Sequence, residues 1–198
     1  MKIILASKSP RRVEILHNIG AEFEIIPANT DESVEDGTPV SDAVMEISKR
    51  KALCVLENHK DAFIISADTV VTTDGEIIGK PRDKDHAFRI LKSLSGKSHT
   101  VLTGFTLCTK DKVYCSYVST EVDFKELTDD EIYRYIESGE PMDKAGAYGI
   151  QEKGSVFVTG IRGDYFNVMG LPVCKITELA KKSLALILQI FKNYKNYI

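Results

Sequence analysis

Asp68 lies inside the apolar stretch "IISADTVV", residues 64–71, where a carboxylate needs a physical reason to be present. Burying an ionised carboxylate costs several kcal/mol unless it is paired or binds a cation. Asp68 could therefore ligate Mg²⁺, activate a water molecule, or do both. Alternatively, it is a strand-end aspartate held by neighbouring N–H groups. Thr69 places a hydroxyl beside it, and Lys80 follows in a Gly-Lys-Pro sequence.

A second carboxylate, Glu32, lies in the polar stretch "NTDES" and is a candidate partner of Asp68 at a cation site. A zinc site is not expected, because none of the four cysteines forms a C-x-x-C pair. We interpret the cysteines as reduced structural thiols, which are typical of a cytoplasmic protein.

The N-terminal stretch "ASKSPRR" combines a predicted strand end with a helix start, Ser9 being the expected N-cap and Pro10 the first helical residue. Ser7, Arg11 and Arg12 crowd the same point. Helix N-termini attract anions, and arginine forms forked hydrogen bonds to phosphate. The stretch therefore indicates a phosphate site, or else a solvated basic helix start. It is not a P-loop, because the G-x-x-x-x-G-K-[ST] pattern is missing.

Lys51 falls on the apolar face of a helix predicted from Pro39, in helical register with Val44, Ile47 and Val55. A lysine in that position either extends its ammonium to solvent or directs it at an anion. The sequence leaves both alternatives open.

The stretch "GEPMDKAGAYGIQEKG", residues 139–154, holds four glycines, which permit close backbone approach to a ligand. Tyr148 could pack under a flat ring, and Gln151 carries one donor and one acceptor that could recognise a base edge. The alternative is an ordinary connection that is rich in turns.

Strands and helices are mixed along the chain, so we expect an α/β fold with a mixed sheet in one domain, residues 1–198. Strands are predicted over residues 2–6, 23–26, 62–73, 76–79, 98–109, 113–127 and 155–161. Helices are predicted over residues 10–20, 39–58, 83–94 and 128–139, and from residue 172 onward. The apolar segment "LALILQIF" is too short to span a bilayer and is interpreted as part of a packed terminal helix.

The composition argues against two classes of partner. The formal net charge of −3 does not favour a nucleic-acid polymer, which requires a basic surface. No apolar stretch is long enough for a transmembrane helix, so we expect no membrane partner. A small anionic ligand remains compatible with this charge, because it needs only a local basic pocket.

Six ordered motifs resemble those of the Maf family, the septum-formation-inhibitor-like nucleoside triphosphate pyrophosphatases. They are "LASKSPRR", "SADTVV", "IIGKP", "LSGKSHTVLTG", "EPMDKAGAYGIQ" and "NVMGLP". The resemblance implies a fold like that of the inosine triphosphate pyrophosphatases, with an elongated mixed sheet, flanking helices and two lobes around a cleft. It also implies cleavage of a nucleoside triphosphate between its α and β phosphates, a divalent metal cation, usually Mg²⁺, and a homodimer.

The resemblance assigns roles to individual positions of this chain. Asp68 matches the family's catalytic acidic residue, which acts as the proton acceptor. Glu32 matches an acidic position near the metal. Thr69 and Gln151 look like the branch that prefers dTTP and UTP, with modified pyrimidine nucleotides an open possibility. The positions that match phosphate-binding residues are Ser7, Arg11, Arg12, Lys51 and Lys80.

Two other classes of function remain as alternatives. One is a regulatory protein that senses nucleotides and affects cell division without turnover. The other is a nucleic-acid-binding module, against which the acidic net charge and the lack of a basic stripe count.

Overall fold

The computed structural model describes residues 1–181, and the segment "LALILQIF" lies outside the described residues. The chain forms two compact units. The first contains Met1–Asp68, Thr103–Val118 and the described residues from Gly170 onward, and the second contains Thr69–Leu102 and Ser119–Met169. The prediction of a single domain over residues 1–198 stays a prediction.

Seven strands and six α-helices are present in the described residues. The strands are β1 Lys2–Leu5, β2 Glu24–Ile25, β3 Ala62–Thr73, β4 Glu76–Ile78, β5 Ser98–Cys108, β6 Val113–Phe124 and β7 Val158–Arg162. The helices are α1 Pro10–Asn18, α2 Val40–Leu56, α3 Lys84–Leu94, α4 Asp129–Glu137, α5 Tyr165–Met169 and α6 Val173–Lys181. Short 3₁₀ helices cover Glu140–Asp143, Ala145–Ala147 and Lys153–Phe157.

The strands form one mixed sheet in the order β2-β1-β3-β5-β6-β7, with β4 paired to β3 outside this path. β1 runs parallel to both β2 and β3, whereas β3–β4 and β6–β7 are antiparallel. The expected fold class, α/β with a mixed sheet and flanking helices, is therefore confirmed. In the described part of the chain, no helix is long and apolar enough to cross a membrane.

The core of the first unit holds β1 against the first half of β3. Ile4 of β1 and Ile64 of β3 pack with Ala52 and Val55 of α2, and all four are buried. Parallel pairing runs from Lys2 with Ala62 to Leu5 with Ile65, and the Ala6 N–H continues it by donating to the Ile65 carbonyl at 2.8 Å. The end of β1 and the middle of β3 are thereby held side by side.

The second unit has an aromatic core. The ring of Phe124 contacts those of His99, Tyr148 and Phe157, with centroids 4.9, 4.7 and 6.0 Å away. The ring of Tyr135 meets that of Phe157 at 4.9 Å. One of these rings, Tyr148, belongs to the glycine-rich stretch, which is thereby anchored in this core.

Three local expectations need correction. Residues 155–157 belong to a 3₁₀ helix, and strand β7 begins only at Val158. Ser9 occupies the N-cap position of α1, but its side chain makes no capping hydrogen bond. The short helix α5 was not predicted, because five residues carry too little periodicity to be recognised.

Candidate functional site

Lys51, Asp68 and Glu32 form an ionic triad in the first unit. The Lys51 Nζ lies 2.8 Å from Asp68 Oδ1 and 2.9 Å from Glu32 Oε1. The Lys51 and Asp68 side chains are only 12% and 14% exposed, whereas that of Glu32 is 62% exposed. The cation that makes an acid tolerable in this apolar strand is therefore, in the first place, Lys51.

Helix α2 places Lys51 at the triad. Val44, Ile47 and Val55 share its helical face and are buried, as the spacing predicted. Because the lysine stem leaves from a buried face, its ammonium ends on two carboxylates. On β3, burial is complete up to Ala67 and becomes partial at Asp68, so the acid stands where the strand leaves the core.

Arg50 holds the loop that carries Glu32. Its Nη1 donates to the Asp31 carbonyl at 2.9 Å and its Nη2 to the Ser33 carbonyl at 2.5 Å, on either side of Glu32. The Ser33 N–H donates to Asp31 Oδ1 at 2.9 Å. Hydrogen bonds from Ser33 lower the pKa of Asp31 below its ordinary value. The sequence analysis did not single out Arg50.

Ser7 and Arg12 are joined at the end of β1. Arg12 Nη1 donates to Ser7 Oγ at 2.9 Å, and Arg12 Nε donates to the Gly170 carbonyl at 2.8 Å. Burial lowers the pKa of Arg12 to about 10, while the negative charges of Asp68 and Glu32 oppose that shift. The guanidinium is still cationic at neutral pH. It belongs electrostatically to the same site as the triad.

Arg11 precedes Arg12 on α1 and is half-buried. Its positive charge contributes to the lowered pKa of Arg12. Five of the predicted residues in the first unit therefore contact one another directly or interact electrostatically. Arg11 adds a further positive charge to this group. The five are Ser7, Arg12, Glu32, Lys51 and Asp68.

The donor set of the triad suits a hard cation. Two carboxylates, Asp68 and Glu32, converge on one positive charge, the Lys51 ammonium. Mg²⁺ is commonly bound by one or two carboxylates together with substrate phosphates. Among the described residues no group of three or more His, Cys, Asp or Glu side chains could hold a metal ion. Two carboxylates would leave the remaining coordination positions of such a cation to other oxygen ligands.

The remaining predicted residues lie in the second unit. Thr69 and Gln151 are half-buried, and Lys80 is exposed. The segments of Lys80 and Gln151 are tied together, because the Gly146 N–H donates to the Gly79 carbonyl at 3.3 Å. The Gln151 Nε2 donates to Glu152 Oε1 at 3.2 Å.

Glu140 was likewise not predicted from the sequence, and its carboxylate accepts hydrogen bonds from Tyr135, Lys153 and Gly154. The available signal was its position at the start of the glycine-rich stretch. Two of its partners are backbone N–H groups, which leave no trace in residue type. The four cysteines are free, in agreement with the expected reduced thiols.

Comparison with models of known families shows to which family this chain belongs. The model of the family described as Maf-like protein matches residues 2–183. The chain belongs to this family. The match covers both units and every candidate residue of the site, so the predicted resemblance to the Maf family is confirmed.

Curated Maf-family relatives named dTTP/UTP pyrophosphatase are similar over almost the whole chain. The relative from Thermosipho africanus is 52% identical over 179 residues, which are 90% of this chain and 92% of the relative. The relative from Aquifex aeolicus is 47% identical and covers 92% and 95%, respectively. The relative from Bacillus anthracis is 48% identical and covers 91% and 95%.

A solved structure supports the fold. The Ham1 protein of Staphylococcus aureus superposes with a TM-score of 0.52 at 12% sequence identity, covering 92% of this chain and 100% of that chain. A likeness at this level of identity bears on the fold and on nothing further.

Proposed function

We propose that this chain hydrolyses dTTP and UTP to the nucleoside monophosphate and pyrophosphate. The observation that carries the proposal is the convergence of Asp68, Glu32 and Lys51, two acids and a cation at one point. Hydrolysis of a triphosphate needs a base for water and positive charge for phosphate oxygens. The names of the relatives, which are about half identical, support the choice of substrate.

In this proposal Asp68 accepts a proton from the water molecule that attacks the α-phosphorus, and passes it to solvent. A bond forms between the water oxygen and the α-phosphorus, and the bond to the bridging oxygen breaks. Pyrophosphate leaves with the electron pair. Lys51, whose Nζ lies 2.8 Å from Asp68 Oδ1, places a positive charge beside this carboxylate.

A divalent cation, Mg²⁺ in our proposal, would be held by Asp68 and Glu32 and would supply positive charge to the phosphate oxygens. The single positive charge of Lys51 pairs with the same two carboxylates. Its ammonium can turn from the carboxylates to a phosphate, because the lysine stem has several rotatable bonds.

The phosphate contacts follow from the cations of the site. Arg12 is buried with its guanidinium fixed by Ser7 and Gly170, so it presents a preorganised charge. Arg11 and Lys80 are proposed as further phosphate ligands, on the basis of the family motifs they occupy. Each such cation stabilises the charge that develops on the leaving pyrophosphate.

Thr69 and Gln151 are proposed to favour the pyrimidine base. The Gln151 amide can accept from the N3–H and donate to a carbonyl of uracil or thymine. A wrong base leaves one of these groups unpaired, at a cost of about 1–3 kcal/mol. Modified pyrimidine nucleotides belong in the substrate panel for the same reason.

The test is incubation of the purified protein with Mg²⁺ and a panel of nucleoside triphosphates in ¹⁸O-water, with products separated by ion exchange. We expect monophosphate and pyrophosphate, fastest from dTTP or UTP, with the label in the monophosphate. Diphosphate and phosphate would refute attack at the α-phosphorus. Tight nucleotide binding without turnover would instead support the nucleotide-sensing regulator.

A homodimer and a cytoplasmic location remain part of this proposal. Light scattering after gel filtration measures the mass of the assembly and separates a dimer from the 22.0 kDa chain. No binding to a nucleic-acid polymer is proposed, and a gel shift with DNA at low salt would contradict this.

A further inference from the structure

The carboxylate of Glu140 accepts three hydrogen bonds in the second unit. Its Oε1 accepts from the Tyr135 hydroxyl at 2.8 Å and from the Gly154 N–H at 3.1 Å. Its Oε2 accepts from the Lys153 N–H at 3.0 Å. A carboxylate with several donors fixes the geometry of all of them, because charge-assisted hydrogen bonds are strong.

Tyr135 extends this arrangement to the other side of Gln151. Its hydroxyl oxygen accepts from the Gly149 N–H at 3.1 Å while its proton is donated to Glu140. Gly149 precedes Gln151 by two residues, and Lys153 follows it by two. The segment that carries Gln151 is therefore tied at both ends, and we call Glu140 and Tyr135 together the loop clamp.

Burial keeps the Tyr135 hydroxyl in its donating form. Desolvation raises the pKa of Tyr135 well above its ordinary value, and the hydrogen bond to Glu140 raises it further. The ring packs against Phe157 with its centroid 4.9 Å away. Tyr135 thus acts as a fixed neutral bridge between the Gly149 backbone and the Glu140 carboxylate.

Lys144 supports the loop clamp from within. Its side chain is 6% exposed, and its Nζ donates to the Glu140 carbonyl at 2.8 Å and to Asp143 Oδ1 at 2.9 Å. It also pairs with Glu152 Oε2 at 3.4 Å. Because Glu152 Oε1 accepts from the Gln151 amide nitrogen, the cluster reaches the amide itself.

The two glycines of the segment are needed for this close approach. A Cβ at Gly149 would lie 2.7 Å from Lys144 Cε and 3.2 Å from Glu140 Oε1. A Cβ at Gly154 would lie 2.8 Å from the Tyr135 hydroxyl oxygen. The backbone is therefore drawn against the loop clamp more closely than any side chain at these positions would allow.

We propose that Glu140 is a positioning residue that sets the base preference of the enzyme by fixing Gln151, an inference that rests on the proposed function. Uracil and thymine present an N3–H donor beside a carbonyl, whereas cytosine presents an acceptor beside an amino group. A side-chain amide matches either base, depending on which way it points. An amide held in one orientation pairs with the donor and acceptor pattern of one base and not with that of the other.

The test compares kcat/KM for UTP and CTP in Glu140→Gln and in Tyr135→Phe, well below the Tm of each variant. Glutamine keeps the size of Glu140 but its amino group cannot accept an N–H. Phenylalanine keeps the packing on Phe157 and removes two hydrogen bonds. We expect the UTP-to-CTP ratio to fall about tenfold in each variant, chiefly through KM.

Matched controls lie on α4, the helix that carries Tyr135. Glu137→Gln and Tyr133→Phe make the same chemical changes at exposed positions of α4, and their ratios should stay within about twofold of the unmutated protein. Tyr135→Phe decides the question if Glu140→Gln fails to fold.

The outcomes separate the two proposals. If the unmutated protein does not convert UTP to UMP and pyrophosphate, the proposed function is wrong and this inference falls with it. If it does so with a preference for UTP, and both clamp variants keep the ratio, only the positioning role is refuted. An equal loss of kcat for both nucleotides would also refute it, because a purely structural role would act without regard to the base.

Discussion

The ionic triad of the first unit and the loop clamp of the second use acids in opposite ways. In the triad, Asp68 and Glu32 face a single movable ammonium, and Glu32 is largely exposed. In the loop clamp, the Glu140 carboxylate is saturated by a buried tyrosine and two backbone N–H groups. In our proposal, the charges of the triad exchange partners during the reaction, and ion pairs hold them. Shape that must persist is held by directional hydrogen bonds.

Among the variants that test this contrast between the triad and the loop clamp, Asp68→Asn should have the largest effect. Asparagine can still accept from Lys51, so the fold should persist, but it cannot take a proton from water. We expect kcat for dTTP to fall about a thousandfold, with Tm nearly unchanged by calorimetry. Asp61→Asn, an exposed change in the turn just before the same strand, serves as the control. Near-full activity of Asp68→Asn would mean that the base is another group.

The second unit should respond to pH through His99. Burial lowers the pKa of His99 from 6.5 to about 4, so below pH 6.5 the unfolded chain binds a proton that the folded chain does not. The free energy of unfolding should therefore fall between pH 6.5 and 4, by about 3 kcal/mol from this residue. Above pH 6.5 the residue has no such effect.

Urea denaturation of the unmutated protein and of His99→Gln, at several pH values between 7 and 4, measures this contribution. Glutamine can still hydrogen-bond the Tyr148 hydroxyl, which lies 2.8 Å from His99 Nε2, but it does not titrate. The variant should have the shallower pH dependence. Parallel curves would show that His99 is accessible to protons in the folded state.

Lys51→Met tests whether the triad also stabilises the fold. Its removal leaves the half-buried Asp68 without its cation, and we expect a loss of about 2 kcal/mol in the free energy of unfolding. The double variant Lys51→Met, Asp68→Asn should recover most of the lost free energy of unfolding. Lys92→Met breaks an exposed pair with Asp129 and should change stability by less than about 1 kcal/mol. A similar loss of stability in Lys51→Met and Lys92→Met would mean that the triad stabilises the fold no more than an exposed ion pair does.

The smallest effect is expected for Arg50→Lys. Lysine keeps the charge but cannot hold the Asp31 and Ser33 carbonyls together, so the loop of Glu32 should loosen. The Mg²⁺ concentration for half-maximal rate should rise about fivefold, the value of one hydrogen bond. Lys49→Arg, an exposed neighbour, is the control. An unchanged Mg²⁺ requirement would exclude Glu32 from the cation site.

Local signals made part of the fold predictable. Strand β3 has the bounds that its apolar run predicted, and the predicted helix α4 opens with a capping box of Thr128 and Glu131. Both depend on neighbours within a few positions. Residues 155–157 were wrongly predicted as strand, because the 3₁₀ helix Lys153–Phe157 depends on contacts with distant Glu140 rather than on a local pattern.

The site shows the same division. The residue types at positions 51 and 68 predicted a charged site, but the 2.8 Å ion pair between them joins elements that are separate in sequence. The loop clamp could not be predicted from the sequence, because the hydrogen-bond partners of Glu140 are mainly backbone groups. Residue type and spacing identify chemistry, whereas the partners that orient it emerge only once the chain is folded.

The register of β3 limits how this chain can evolve. Parallel pairing with β1 is fixed up to Ile65, and side chains of a strand alternate between the two faces of the sheet. Loss or gain of one residue between Ile65 and Asp68 would turn the acid to the opposite face without altering composition. Changes of length should therefore be tolerated better in exposed turns such as Asp74–Gly75 than in this stretch.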